Sequence, residues 1–301
     1  MLDIFVKPDF IVEPWLDPIF EQRSIHVSVL RADLIHPWIQ GNKWHKLQCY
    51  VQELLAENKM GFYSIGGPFS NHLIALAFAA HALKKKAHFY IRGGRAEWGQ
   101  NPAVAQMESW GAELYEISRS DFRNADQFLA LKSETELSNY VFVPLGGSGT
   151  KAVQFVENWA NQIAQDLDFE FIALPIATAG TVSGFGTSLP EGRKILAIEV
   201  LRSNGFLETD MNTLIQNAGK TILNSPTWIN DYHFGGYAKT NAKLNAFCRN
   251  VFDTNGIPIE PIYSGKAFFA VSDLARKGYF QEGSRILIVH TGGIFPWNTA
   301  R

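Results

Sequence analysis

The segment Gly41-Asn42-Lys43-Trp44-His45-Lys46-Leu47 sets two lysines three residues apart, just after a Gly-Asn turn. A lysine acts as a Schiff-base nucleophile only when burial or a nearby cation lowers the pKa of its ammonium. Lys46, one helical turn on, is placed to be that cation for Lys43. A second segment, Ser64-Ile65-Gly66-Gly67-Pro68-Phe69-Ser70-Asn71-His72, runs from a strand end through a polar loop into a helix. Free N–H groups at a helix start, with the positive end of its dipole, bind a carboxylate or a phosphate. Together the two segments suggest lysine carbonyl chemistry beside an anion site. Each also has an ordinary reading, Lys43 as a solvated surface lysine and Ser70 and Asn71 as helix caps.

Three further segments carry suitable groups. Thr178-Ala179-Gly180-Thr181-Val182-Ser183-Gly184 follows an apolar run and has neither a Walker lysine nor GxGxxG spacing. Its small residues, hydroxyls and successive amides suit a single monoester phosphate, and equally an ordinary turn. Tyr232 to Tyr237, Tyr263-Ser264-Gly265-Lys266 and His290-Thr291-Gly292-Gly293 place tyrosines and hydroxyls among glycines, where packing is a commoner role than catalysis. The eight histidines show no metal-binding spacing, so no metal is expected. No GxSxG elbow is present.

The elements that must position these groups alternate in type. Apolar runs at Gly61–Ile65, Ala87–Ile91, Ala112–Ile117, Tyr140–Val143, Glu170–Ala177, Lys194–Leu201 and Arg285–Val289 read as strands. Helical patterns fall at Asn71–Lys85, Pro102–Trp110, Thr150–Leu167, Asn241–Asn250 and Lys266–Lys277, and after Lys43 through Leu47, Tyr50, Val51, Leu54 and Leu55. Continuous apolar strands alternating with helices imply an α/β fold of parallel sheets covered on both faces. Such sheets hold ligands beyond the carboxyl ends of their strands, where the Gly-rich segments lie.

A chain of 301 residues has room for two domains. With 27 basic and 29 acidic residues, nothing argues for nucleic acid or a charged partner. Cys49 and Cys248 make no disulfide framework, and the stretch Met1 to Trp15 does not read as a signal peptide. No apolar run is long enough to span a bilayer, so a cytoplasmic enzyme is expected.

In this order the segments resemble the pyridoxal phosphate (PLP)-dependent family of 1-aminocyclopropane-1-carboxylate (ACC) deaminases and D-cysteine desulfhydrases. Residues 41–47 resemble its GNKxRKLE box, Ser64 to His72 its SIGG…SNH box, and Glu260 to Lys266 its DPVYxGK box. The resemblance spans roughly residues 28 to 295. It implies the two-domain, three-layer fold of the tryptophan synthase β subunit, with residues 1–50 and 146–301 in a larger domain and 51–145 in a smaller one. It further implies PLP as cofactor and a homodimer acting on a small amino acid. Carried over by position, Lys43 is the Schiff-base lysine and Asn71 binds the cofactor's 3′-oxygen. Ser70, Asn71 and His72 hold the substrate carboxylate, and Ser70 also takes part in proton transfer. Thr178, Ala179, Gly180, Thr181, Val182 and Ser183 cradle the phosphate, and Tyr237 and Tyr263 face the substrate.

The sequence departs from the family at Trp44, at His45, where the family has arginine, and in a shorter lead-in before the first box. It also departs at Ser264, where ACC deaminases carry glutamate. A hydroxyl at the pyridine nitrogen, with Thr291 nearby, cannot hold a full positive charge there, which makes a shallower electron sink. That favours β-elimination, D-cysteine to pyruvate, ammonia and sulfide, over cyclopropane opening by an ACC deaminase. A PLP-binding protein without catalysis is the reading from another class.

Overall fold

Apolar runs too short for helices make the strands. A computed structural model describes residue 5 and residues 9–125, 128–129 and 137–297; residues 1–4 and 6–8 of the N-terminal stretch lie outside the described residues. The strands are β1 Val12–Pro14, β2 His26–Leu30, β3 Gly61–Gly66, β4 Lys86–Arg92, β5 Glu113–Ile117, β6 Tyr140–Val143, β7 Phe171–Ile176, β8 Lys194–Glu199, β9 Thr227–Ile229 and β10 Arg285–Val289. They form a six-stranded sheet, β1-β2-β10-β7-β8-β9, and a four-stranded sheet, β5-β4-β3-β6. Every ladder is parallel except β1 with β2 at the edge of the larger sheet.

The helices are α1 Pro18–Gln22, α2 Asn42–Ala56, α3 Asn71–Ala82, α4 Arg95–Trp98, α5 Pro102–Ser109, α6 Arg119–Arg123, α7 Thr150–Asp166, α8 Gly180–Gly186, α9 Phe206–Asn217, α10 Ala242–Asn255 and α11 Ser264–Arg276. The fold is the α/β type with parallel sheets found in tryptophan synthase β-like PLP enzymes. The central strands β3 and β7 are buried along their whole length, as strands covered by helices on both faces must be. Pro175 in β7 breaks the rule against proline in a central strand only in appearance. The ladder with β10 ends at Ala173, before the proline's missing N–H would be needed.

The small sheet packs in one apolar core with α2 and α3, through Trp44, Leu47, Tyr50, Val51 and Leu54 against Phe62, Leu73, Leu76 and Phe89. We propose the domain division at 50/51 and 145/146 with one qualification: α2 crosses the first boundary, and its apolar side chains from Trp44 to Leu54 pack in the small sheet's core. The segment 178–184, read as a turn, is the start of the short helix α8. Leu55, expected on the packed face of α2, is 42% exposed. No described helix is long and apolar enough to cross a membrane.

Candidate active site

Close approaches of backbone draw the segments together beyond the strands' carboxyl ends. Gly41, at φ 57°, lies so near Thr291 that a Cβ would overlap the Thr291 carbonyl. At Gly293, φ 93°, a Cβ would come within 2.7 Å of Asn71 Nδ2 and 3.5 Å of Glu260 Oε1. At Gly67 it would come within 3.2 Å of the Tyr237 hydroxyl. Residues from positions 41 to 293 thus meet around Lys43.

Lys43 stands in the first turn of α2, partly exposed, and its Nζ donates to Asn42 Oδ1 at 3.0 Å. Asn42 in turn donates from Nδ2 to Thr181 Oγ1 at 2.8 Å, which ties the lysine's neighbour to α8. Burial lowers the Lys43 ammonium from 10.5 to about 8. Of the two expected causes, burial and a cation at Lys46, burial is the one the structure shows. Lys46 is fully buried, and its own pKa falls well below the ordinary value, through burial first and the Lys43 charge second. Desolvation of Lys43 itself does the work. Lys46 instead donates to Ser148 Oγ at 3.1 Å and Gly146 O at 3.4 Å, and Ser148 meets Thr178 Oγ1 at 2.8 Å.

Ser70 occupies the N-cap position of α3, but its side chain makes no capping bond. Its Oγ lies 2.6 Å from His72 Nδ1, and His72 Nε2 lies 3.1 Å from Ser64 Oγ. Ser64 donates its single proton to Val143 O at 2.7 Å, so it accepts from Nε2–H. Burial first, then the charges of Lys43 and Lys46, hold the imidazole neutral. Bond counting therefore assigns the proton to Nε2 and leaves the Nδ1 lone pair facing the Ser70 hydroxyl. Ser70, Asn71 and His72 open α3, and the His72 ring is tied to Ser70 and Ser64. What His72 and Asn71 offer an anion is their backbone N–H groups, which no intrahelical carbonyl reaches.

The amides of Gly180, Thr181 and Val182 open α8 in the same way, with the Thr178 and Ser148 hydroxyls beside them. Val182 and Ser183 turn their side chains into the interior, and Ser183 Oγ donates to Ala179 O at 2.9 Å. Of the expected phosphate group, Val182 therefore has only its backbone N–H to offer, and Ser183 has no free donor, since its N–H and its Oγ both go to Ala179 O.

At the start of α11, the Tyr263 hydroxyl donates to the Tyr237 hydroxyl at 3.0 Å. Burial raises both phenols. Ser264 Oγ accepts the Glu260 N–H at 3.1 Å and meets Glu260 Oε1 at 3.1 Å. Glu260 is 2% exposed and caps α11 by accepting the N–H groups of Ile262, Tyr263 and Ser264. Burial outweighs those bonds and raises its carboxyl to about 7. Ser64, Ser148 and Glu260 received no role from the sequence, because nothing in their spacing shows what they bond. Thr291, expected with Ser264 at the cofactor, lies with its backbone against Gly41.

The two departures beside Lys43 point away from it. Trp44 packs in the small sheet's core, and His45 stacks on Trp159 of α7 with ring centroids 4.2 Å apart at 11°. His45 Nε2 is buried without a hydrogen-bond partner among the described residues, and burial lowers the ring to about 3. His45→Phe keeps the stack and removes the orphaned nitrogen, so stability should hold or rise by about 1 kcal/mol. Urea unfolding checks this, and a loss of more than that amount would show a partner for the nitrogen.

The residues fit PLP. A lysine of lowered pKa is joined through Asn42 to Thr181 in a helix start with free amides and flanking hydroxyls, and its charge is felt at His72 in a second helix start.

Comparisons with known proteins bear on the family and the fold. A putative 1-aminocyclopropane-1-carboxylate deaminase of Pyrococcus horikoshii is 27% identical over 93% of this chain and 90% of its own length. A mitochondrial protein of Arabidopsis thaliana, named a bifunctional D-cysteine desulfhydrase/1-aminocyclopropane-1-carboxylate deaminase, is 25% identical over 88% of this chain and 72% of its own. A crystal structure of an ACC deaminase homologue superimposes with a TM-score of 0.84 at 25% identity, covering 98% of this chain and 92% of that one. The family model described as pyridoxal-phosphate dependent enzyme matches residues 19–292, and the chain belongs to that family.

Proposed function

We propose that the chain catalyses β-elimination on a small amino acid, D-cysteine being the substrate that fits best, with release of pyruvate, ammonia and sulfide. The observation that carries this reading is Ser264. Its neutral hydroxyl, tied to Glu260 at 3.1 Å, stands where ACC deaminases carry a carboxylate. When bound, PLP would supply the electron sink for negative charge at the substrate's α-carbon, and Ser264, holding the ring with a hydroxyl in place of a carboxylate, would make that sink shallow. A shallow sink suits a carbanion that expels its β-substituent at once.

The chain's own residues divide the remaining work. The N–H groups of Asn71 and His72, at the positive end of α3, hold the substrate carboxylate. Lys43, with an amine near pKa 8, anchors the cofactor and moves the α-proton at neutral pH. The Ser70 hydroxyl, with its proton directed at His72 Nδ1, serves as the second proton carrier. Tyr237 and Tyr263 close the side of the cleft facing the β-substituent. The α8 amides with Thr178 hold the phosphate. We propose that the working form is a homodimer.

ACC deaminase is the second reading, favoured by the names of the relatives. Oxoacid release across a panel of substrates separates the two. The proposal predicts pyruvate from D-cysteine faster than 2-oxobutyrate from ACC, and the reverse order would contradict it. Cofactor binding without turnover of any D- or L-amino acid would point to a non-catalytic PLP protein.

A further inference from the structure

The side chain of Lys266 is fully buried and bonds to no acid. Its Nζ donates to three backbone carbonyls, Val200 O at 2.8 Å, Gly236 O at 2.9 Å and His233 O at 3.0 Å. Three acceptors need three N–H groups, which only the ammonium provides. Burial lowers the group to about 8, with the Glu260 charge opposing, so the ammonium persists at neutral pH. A buried charge is tolerated only where polar groups replace its water shell, and here backbone carbonyls do so.

Two of those carbonyls belong to the loop 232–237. Its backbone is left-handed at Phe234, φ 52°, Gly235, φ 99°, Gly236, φ 128°, and again at Ala238, φ 55°. Phenylalanine and alanine seldom adopt that conformation, and it persists only when surrounding contacts over-determine it. Helix α11 supplies those contacts from one face, at spacings of three and four. Besides Lys266, Phe269 meets the Phe234 ring edge-on at 5.1 Å, Asp273 accepts the Tyr232 hydroxyl at 2.8 Å, and Lys277 donates to that hydroxyl at 3.2 Å. The same helix begins beside Tyr263, whose hydroxyl reaches Tyr237.

We propose that Lys266 is a tethered cation which fixes the loop 232–237, and that the three carbonyls around it are a latent site for a small monovalent cation, ammonium or potassium. Carbonyl cages of this kind replace the hydration shell of such ions. Lys266 is a positioning residue, since it acts on the cleft only through the loop that carries Tyr237. The proposal is independent of the substrate, because the loop itself reports on it.

The test is hydrogen exchange of the cofactor-loaded protein. Lys266→Ala empties the cage, and amide exchange across 232–238 should accelerate by at least about tenfold, the equivalent of losing roughly one charged hydrogen bond. Ammonium, methylammonium or potassium should slow it again in a saturable way, while the larger tetramethylammonium should not. The wild type should ignore all four. Failure of every small cation to restore a folded Lys266→Ala protein would overturn the proposal. Should that variant not fold, Lys266→Met fills the volume without donors. It should show fast exchange in the loop that no cation reverses, and wild-type exchange there would overturn the proposal as well.

Discussion

Lys43→Ala is expected to lower turnover by about 10⁴-fold or more, because it removes the cofactor's attachment and a positioned base at once. The fold should survive. The Lys43 amine makes one bond, to Asn42, whose other tie, to Thr181, remains. Lys43→Arg should be equally inactive, since a guanidinium keeps the charge but neither deprotonates nor attacks a carbonyl. The lowered pKa has a separate signature. Attack on an aldehyde needs the free amine, so the rate at which PLP attaches should rise with pH up to about 8 and then level off. An amine at the ordinary 10.5 would go on accelerating well beyond that point. Stopped-flow absorbance of apoenzyme mixed with PLP reads the midpoint directly, with unfolding curves checking that the variants remain folded.

Ser70→Ala carries the second largest effect, a fall in kcat of about 10² to 10³-fold with the cofactor still bound. The argument is the hydrogen-bond line. Val143 O accepts from Ser64, Ser64 accepts from His72, and His72 presents a bare Nδ1 to Ser70. A hydroxyl whose proton already points at a neutral imidazole can give that proton up and take it back. Steady-state kinetics with α-deuterated substrate distinguishes this from simple carboxylate binding. Proton transfer becomes slower in the variant, so the isotope effect on kcat should increase. A change confined to KM would reduce Ser70 to a substrate clamp.

The parallel sheets were legible because β3 and β7 are short, apolar and followed by glycine-containing turns. The strand β1 was not, since its three residues are exposed or half-buried and too few to show a period. Helix α9 also escaped notice, because it buries only Leu207, Met211 and Ile215, one residue per turn. Within the site, the chemically marked positions were legible, but their wiring was not. Lys46 looked like a neighbouring charge because helical spacing puts it near Lys43, yet spacing says nothing about desolvation, which governs both amines. Ser70 looked like a cap, and only the fold brings His72 close enough to take its hydroxyl away from the helix amides. The bonds of Glu260 and Lys266 are set by tertiary packing and by a left-handed loop, neither of which spacing encodes.

The central claim is that Lys43 is the residue that holds PLP. Its most direct test is to load the purified protein with PLP, reduce with borohydride, digest, and locate the cofactor by peptide mass spectrometry. The account predicts one modified lysine, Lys43, and no modification of the Lys43→Ala protein. A label on Lys46 or Lys266 in place of Lys43, or no label at all, would contradict it.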